Sequence, residues 1–168
     1  MRQADVELEA RWADYATAHA RLHLADGTTL EVGPTVAKRI EGEFADPAGR
    51  TIHVITADNP GRDVSAEANA AAHERLLARA TELHWEVVHA HGGDPSWTHV
   101  EACIAVFGAP VDEVLAIGRE FGQDAVFEWT PSVWNLISCD GARRVESAWR
   151  SWQVRADEPG PRSARVQP

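Results

Sequence analysis

Four residues with metal-binding or acid–base side chains occupy alternate positions in two strand-like segments. His89 and His91 are two residues apart in the first segment, and His99 and Glu101 are two apart in the second. Residues i and i+2 of a strand point to one face, so a hairpin closed by residues 92–98 can bring all four together in a suitable register. Three imidazoles and a carboxylate can bind zinc or iron. A divalent-metal site is therefore one hypothesis, and a plain polar face of the sheet is the other.

Glu101 and His99 also suit acid–base chemistry that needs no metal. A carboxylate can act as a general base when a neighbouring histidine orients it. We therefore name Glu101 and His99 as candidate catalytic residues. Cys103 continues the same alternation along the segment. The nature of any cofactor is left open by this pattern.

A polar break follows the strand-like segment 51–57. It reads Asp58-Asn59-Pro60-Gly61, and Ser65 then stands as the N-cap of a helix predicted over residues 65–83. A helix N-terminus offers backbone donors and a positive dipole to an anionic group. Asn59 and Ser65 are therefore candidate ligand-binding residues. The alternative is that Asn59 caps the turn and Pro60 rigidifies it.

Gln123 is a third candidate ligand-binding residue. It follows Gly122, which ends a helix predicted over residues 110–121, and it precedes a strand. The alternative is that Gly122 adopts the left-handed helix-ending conformation and Gln123 satisfies open carbonyl groups. In a split βαβ fold we expect Gln123 to lie at the opposite end of the sheet from Asn59.

Two motifs resemble the signatures of a small bacterial family catalogued as domain of unknown function 3293. Ile55-Thr56-Ala57-Asp58-Asn59-Pro60 is similar to its Ile-Thr-Ala-x-Asn-Pro signature, and residues 121–125 are similar to its Phe-Gly-Gln-x-Ala signature. The similarity is expected to extend over residues 15–129. It implies a bacterial cytosolic protein and no particular activity. Asp58 stands where the family pattern has Trp or another large residue, so a pocket at that position would take a different ligand.

Composition and charge exclude several classes of function. The formal net charge of −10 and the absence of a basic stripe argue against nucleic-acid binding. No apolar run reaches the length of a membrane span, and residues 1–10 do not read as a signal peptide. We therefore expect a cytoplasmic protein in which Cys103 and Cys139 are buried, reduced thiols. Walker, dinucleotide-binding, zinc-protease and hydrolase-elbow motifs are missing.

The predicted elements indicate one α+β domain over residues 12–154. A polar lead of residues 1–11 precedes it, and a disordered tail of residues 155–168 follows. From residue 51 the predicted order is strand, helix, strand, strand, helix, strand, which favours a ferredoxin-like split βαβ core. We expect a mostly antiparallel sheet with helices mainly on one face. A hairpin at Asp26-Gly27 and the C-terminal strands would extend this sheet, and a further helix is predicted over residues 35–44.

Tryptophan is abundant in the C-terminal strands. The protein has seven tryptophans, and Trp129, Trp134, Trp149 and Trp152 lie in these strands. Such residues mostly pack in the core or on a sheet face. A stacking platform for a planar small molecule is the alternative.

These observations lead to a protein that binds a small molecule and has the side chains for an enzyme. The alternative is a non-catalytic interaction or regulatory module, because ferredoxin-like sheets can pair with one another and form homo-oligomers. Neither the ligand nor the reaction follows from the sequence.

Overall fold

The computed structural model describes residues 2–155, which form an eight-stranded antiparallel barrel and three helices. The order along the chain is α1 (Gln3–Thr17), β1 (His19–His23), β2 (Thr29–Thr35), β3 (Ile52–Thr56), α2 (Ala66–Glu82), β4 (Glu86–Gly93), β5 (Val100–Phe107), α3 (Val111–Glu120), β6 (Ala125–Trp129), β7 (Trp134–Ser138) and β8 (Arg144–Gln153).

The sheet closes on itself, so the predicted ferredoxin-like sheet is wrong. The strands run β1-β2-β8-β7-β6-β3-β5-β4 around the barrel, and β1 pairs with β4 to complete the circle. The order of elements from β3 to β6 is as predicted. The error lies in the long-range pairing, because the N-terminal and C-terminal hairpins join each other through β2 and β8 instead of extending an open sheet.

Alternate residues of the strands fill the barrel interior and form the first core cluster. Its buried members are Ala20, Leu22, Val32, Ile52, Val54, Ala90, Cys103, Ala105, Trp129, Trp134 and Trp149. Three of the four C-terminal tryptophans are therefore core residues. Trp152 instead lies on the outer surface, where its ring contacts His19. The tryptophans thus pack as core and sheet-face residues and do not line the cavity described below.

A second core cluster lies between the outer surface of the barrel and helices α2 and α3. It joins Leu76 of α2 and Val114 of α3 to Ile55 and Ile104 of the strands. The long α2 begins at Ser65 as predicted, with the Ser65 hydroxyl accepting a hydrogen bond from the Ala68 amide. Packing on one side of the barrel orients both helices.

The helix predicted over residues 35–44 does not form. β2 continues to Thr35, and an irregular segment follows in which Val36 is fully exposed. Phe44 packs against Trp129, with ring centroids 4.9 Å apart. The spacing of four between Val36, Ile40 and Phe44 therefore does not reflect a buried helix face, because Phe44 packs against the core and the other two side chains are exposed.

Helix α1 extends further than the predicted lead and lies at the end of the barrel where β1 starts. Trp12 is buried, and the guanidinium of Arg143 lies 4.4 Å from its ring centre. The Arg143 guanidinium also donates to Glu9. These contacts hold α1 against the end of the barrel at which β3 and β4 finish.

Residues 156–168 of the predicted tail lie outside the described residues. Within the described part, Cys103 and Cys139 are buried and free, as predicted. A search of residues 2–155 finds no helix with the length and apolar character needed to cross a membrane.

Candidate functional site

A cavity of about 520 Å³ opens at the end of the barrel covered by α1. Its inner wall is apolar and consists of inward-facing side chains of β3, β5 and β6, among them Val54, Cys103 and Phe127. Its outer wall is polar and includes α1 and the loops after β3 and β4. A volume of this size suits a small organic molecule.

Glu101 is the acidic side chain on the inner wall of this cavity. It sits at the start of β5, two residues before Cys103, and its side chain is 23% exposed. The Asn59 amide nitrogen donates to its Oε1 at 3.2 Å, and His99 Nε2 lies 3.4 Å from the same oxygen. Burial raises the pKa of Glu101, an effect that the Asn59 and His99 contacts only partly offset.

Asn59 is fixed by contacts of both its backbone and its side chain. Its φ of 45° is in the left-handed region, which Asn tolerates better than most residues. Its backbone N–H donates to Asn69 Oδ1 at 2.8 Å, and its own Oδ1 accepts from Asn69 Nδ2 and from the Val64 amide. These hydrogen bonds with Asn69 of α2 orient the side-chain NH2 group of Asn59 toward Glu101.

The predicted ligand-binding residues separate into one that lines the cavity and two that support it. Asn59 lines the cavity. Ser65 caps α2, the role foreseen for it in the helix, and is not part of the cavity wall. Gln123 donates to the Asp58 carbonyl oxygen at 2.9 Å, so it holds the turn that carries Asn59.

The prediction that Gln123 and Asn59 lie at opposite ends of the sheet is wrong. β3 and β6 are antiparallel neighbours, and the end of one such strand lies beside the start of the other. The loop before β6 therefore meets the turn after β3. Gly122 illustrates the fit, because a Cβ there would lie 2.9 Å from Pro60 Cβ.

The four predicted metal ligands are divided between the two faces of the barrel. In the β4–β5 register Glu101 lies opposite Gly92, and His91 lies opposite Ala102. Glu101 and His99 therefore border the cavity, whereas His89 and His91 point outward. All four residues cannot bind one ion, because the two pairs lie on opposite faces of the sheet. The register decides this, since a shift of one position reverses the face of every side chain in a strand.

The outward histidines belong to a separate row on the barrel surface. His91 Nδ1 lies 2.8 Å from His23 Nε2, which joins β4 to β1. The His89 ring lies 6.4 Å from the His73 ring of α2. Burial lowers the pKa of His23, His73 and His91, so the neutral forms are favoured. Across residues 2–155 no three His, Cys, Asp or Glu side chains are arranged to hold a metal ion.

Asp58, the residue before Asn59, is buried and is not part of the cavity lining. Its Oδ2 accepts a hydrogen bond from the Ala102 amide at 3.0 Å. Its Oδ1 is buried and has no partner among the described residues. Burial raises the pKa of Asp58, with smaller opposing contributions from the Ala102 amide and from His73 and His99.

Sequence reasoning missed the wall that α1 contributes. Tyr15 and Arg11 both line the cavity, and both contact Asp124 Oδ2, the hydroxyl at 3.1 Å and the guanidinium nitrogen at 2.9 Å. Burial, followed by the Asp124 charge, raises the pKa of Tyr15 to about 12. The i, i+4 spacing of Arg11 and Tyr15 on a helix was the available signal, but their partner lies far away in the sequence.

A family comparison covers the central part of this architecture. Residues 55–126 match the family described as "Protein of unknown function (DUF3293)". The resemblance inferred from the two motifs is thus confirmed, over a shorter segment than expected. The DUF3293 segment contains Asn59, Glu101 and Gln123, whereas α1 lies outside it. Comparisons with curated proteins and with solved structures found no match.

Proposed function

We propose that this protein binds a small molecule in the cavity between α1 and the barrel. The observation that carries the proposal is the cavity itself, which combines an apolar inner wall with one partly buried carboxylate, Glu101. Binding sites for small molecules are typically concave and mostly apolar, with a few polar groups that orient the ligand. A bacterial cytosolic setting, which the family resemblance implies, belongs to the same proposal.

Closure of the sheet favours this function over the interaction module. The hypothesis of an interaction module assumed that sheets of two molecules pair with one another, and exposed sheet edges are one way in which they can do so. In the described part of the chain every strand has two hydrogen-bonded neighbours, so no edge is left for such pairing.

The test is a fragment screen by NMR with a variant that fills the cavity. In the wild type, binding fragments are expected to shift backbone resonances of cavity residues, including Thr56, Glu101 and Phe127. Ala125→Phe puts a large side chain into the cavity and should abolish these shifts. Ala142→Phe, on an exposed turn, is the matched control and should leave them unchanged. A second, shallower groove lies between α2 and α3 and is lined by Arg75, Arg79 and Glu120 among others. Shifts confined to that groove, or no binding at all, would contradict the proposal.

Proton transfer at Glu101 is a second candidate function. It is favoured by His99 Nε2, which lies 3.4 Å from Glu101 Oε1, and by the burial that raises the pKa of this carboxyl. A carboxylate with a raised pKa is a stronger proton acceptor than an ordinary one, which suits a general base. Slow conversion of a bound fragment, followed by its NMR spectrum and lost in Glu101→Gln, would support it. A spectrum that stays unchanged for every bound fragment would count against it.

A further inference from the structure

We propose that the ligand of this cavity carries a cationic nitrogen, such as an ammonium group, that pairs with Glu101. The inference rests on the proposed function and names the chemical class of the ligand. It follows from how this protein treats its other buried and partly buried carboxylates.

Four carboxylates that are buried or partly buried elsewhere in residues 2–155 are matched by arginines. Each of these pairs has a guanidinium nitrogen within 3.0 Å of a carboxylate oxygen. The pairs are Glu31 with Arg21, Asp46 with Arg50, Asp124 with Arg11, and Glu128 with Arg144. A charge that leaves water needs an opposite charge and hydrogen bonds to compensate.

Glu101 lacks such a partner. Within residues 2–155 its only ion-pair contact is with His99, at 3.4 Å, and the His99 side chain is 63% exposed. Both hydrogen bonds that the structure gives to this carboxylate end on Oε1. In the described part of the chain Oε2 is thus left for a ligand, and a ligand cation would supply the missing charge.

Two further carboxylates lack an arginine. Asp94 is half-buried at the rim, and its oxygens accept hydrogen bonds from the Ser96 and Thr98 hydroxyls and from the His99 amide. Asp58 is buried, and it does not compete for this role. Its carboxylate accepts a hydrogen bond from the Ala102 amide, and it is not part of the cavity lining. Its negative charge is felt at Glu101, where it adds to the effect of burial in raising the pKa. A cation beside Glu101 would therefore be attracted by two carboxylates.

The rest of the cavity indicates what the cation is attached to. Val54, Ala125 and Phe127 present apolar surface in the same cavity as Glu101, so the ammonium group is expected on an aliphatic or aromatic body. The rim carries the carboxylates of Asp14, Asp63 and Asp94, and the whole protein has a formal net charge of −10. This field attracts cations toward the opening.

Two arginines also line the cavity, and neither supplies the missing charge. Arg11 is held by Asp124. Arg62 is exposed, and among the described residues it forms no ion pair with Glu101. The carboxylate on the inner wall therefore stays the dominant charge for a group that enters fully.

The experiment compares three compounds that share one skeleton and differ in charge. Cyclohexylmethylamine, cyclohexylmethanol and cyclohexanecarboxylate are titrated at pH 8 into the wild type, followed by NMR shifts of the cavity residues. The amine is expected to bind at least about tenfold more tightly than the alcohol, because a charge-assisted hydrogen bond replaces a neutral one. The carboxylate is expected to bind weakest.

The variant Glu101→Gln keeps the shape and removes the charge. It should abolish the preference for the amine while weak binding of the alcohol persists. Glu74→Gln on the exposed face of α2 is the matched control and should bind like the wild type. Glu101→Gln is expected to fold, because it removes a charge that burial disfavours, and its thermal unfolding midpoint should not fall below that of the wild type.

The outcomes separate the inference from the proposed function. If the alcohol or the carboxylate shifts the cavity residues as strongly as the amine, the cation is wrong and small-molecule binding stands. If the amine keeps its advantage in Glu101→Gln, the pairing with Glu101 is wrong. If none of the three compounds shifts a cavity residue, the result counts against both.

Discussion

Asn59 connects the fold to the chemistry of the cavity. Its backbone N–H and its side-chain oxygen form hydrogen bonds with Asn69 of α2, and its side-chain NH2 group donates to Glu101. A left-handed φ at this position lets the chain turn from β3 toward α2 while the side chain points to the cavity. The sequence marks the position by Asn-Pro, but it does not show whether the side chain only caps the turn or also binds.

We predict that Asn59→Ala lowers the free energy of unfolding by about 3 kcal/mol, from lost side-chain hydrogen bonds and from the strain of a left-handed alanine. The same change should raise the pKa of Glu101 further, because the Asn59 hydrogen bond lowers it. Urea unfolding measures the first effect, and NMR titration of the Glu101 carboxyl measures the second.

Asn59→Gly is the control for backbone strain. It loses the same hydrogen bonds but accepts the left-handed conformation, so it should be less destabilised than Asn59→Ala by about 1 kcal/mol. An unchanged pKa of Glu101 in both variants would show that Asn59 does not act on this carboxylate.

Helix α1 is held on the barrel by its buried Trp12 ring and by polar contacts of three of its side chains. Arg11 and Tyr15, one helical turn apart, meet at Asp124 just before β6. Glu9, two residues before Arg11, receives the Arg143 guanidinium from the loop before β8. Arg11 and Tyr15 therefore both line the cavity and attach α1 to the barrel.

We predict that Asp124→Asn lowers the pKa of Tyr15 from its value of about 12. Burial is the main cause of the raised pKa, and the Asp124 charge and hydrogen bond add to it. Removing the charge removes the second cause, and loosening of α1 would reduce the first. Tyr15 is the single tyrosine of the protein, so ultraviolet difference spectroscopy against pH reports on it alone.

Asp5→Asn, on the exposed start of α1, is the control for that titration and should leave the Tyr15 transition unchanged. Hydrogen exchange over α1 gives an independent readout, since Asp124→Asn should speed exchange there. A Tyr15 titration identical in the wild type and Asp124→Asn would contradict the proposed attachment of α1.

Closure of the barrel depends on the pairing of β1 with β4, and two histidines meet at that seam. His23 of β1 and His91 of β4 share a hydrogen bond of 2.8 Å, which requires that one imidazole accept while neutral. The positive charges of Arg21 and of His89, which lies on the same face, lower the pKa of both histidines. A charge on His73 lowers the pKa of His91 as well. Thr29 contacts the other ring nitrogen of His23.

We predict that the contribution of His23 and His91 to the stability of the protein falls as the pH is lowered from 7.5 to 5. Burial holds the pKa of His23 and His91 below the ordinary value of 6.5. The unfolded chain therefore binds protons first as the pH falls, and the free energy of unfolding decreases with it. At about pH 7.5 and above, the histidines are neutral in both states, and this contribution is fully present.

The double variant His23→Asn with His91→Asn should show a shallower pH dependence in urea unfolding across this range. His84→Asn, at an exposed site, should keep the wild-type slope. Equal slopes for the wild type and the double variant would show that the seam does not titrate in this window.

The local features of this protein could be predicted from its residues. The strand–helix–strand–strand–helix–strand order, the Ser65 cap and the hairpin at Asp26-Gly27 follow from residue types at short spacing, because their contacts lie within a few residues. Glu101, His99 and Asn59 were also singled out from the sequence, and the structure places all three around one cavity.

Contacts between residues that are distant in the chain became visible in the folded protein alone. The pairing of β1 with β4 converts the expected open sheet into a barrel. The β4–β5 register separates His89 and His91 from Glu101, and Asp124 draws α1 across the cavity. Each of these depends on strand register or on contacts between residues far apart in the chain, and local propensity carries no information about either.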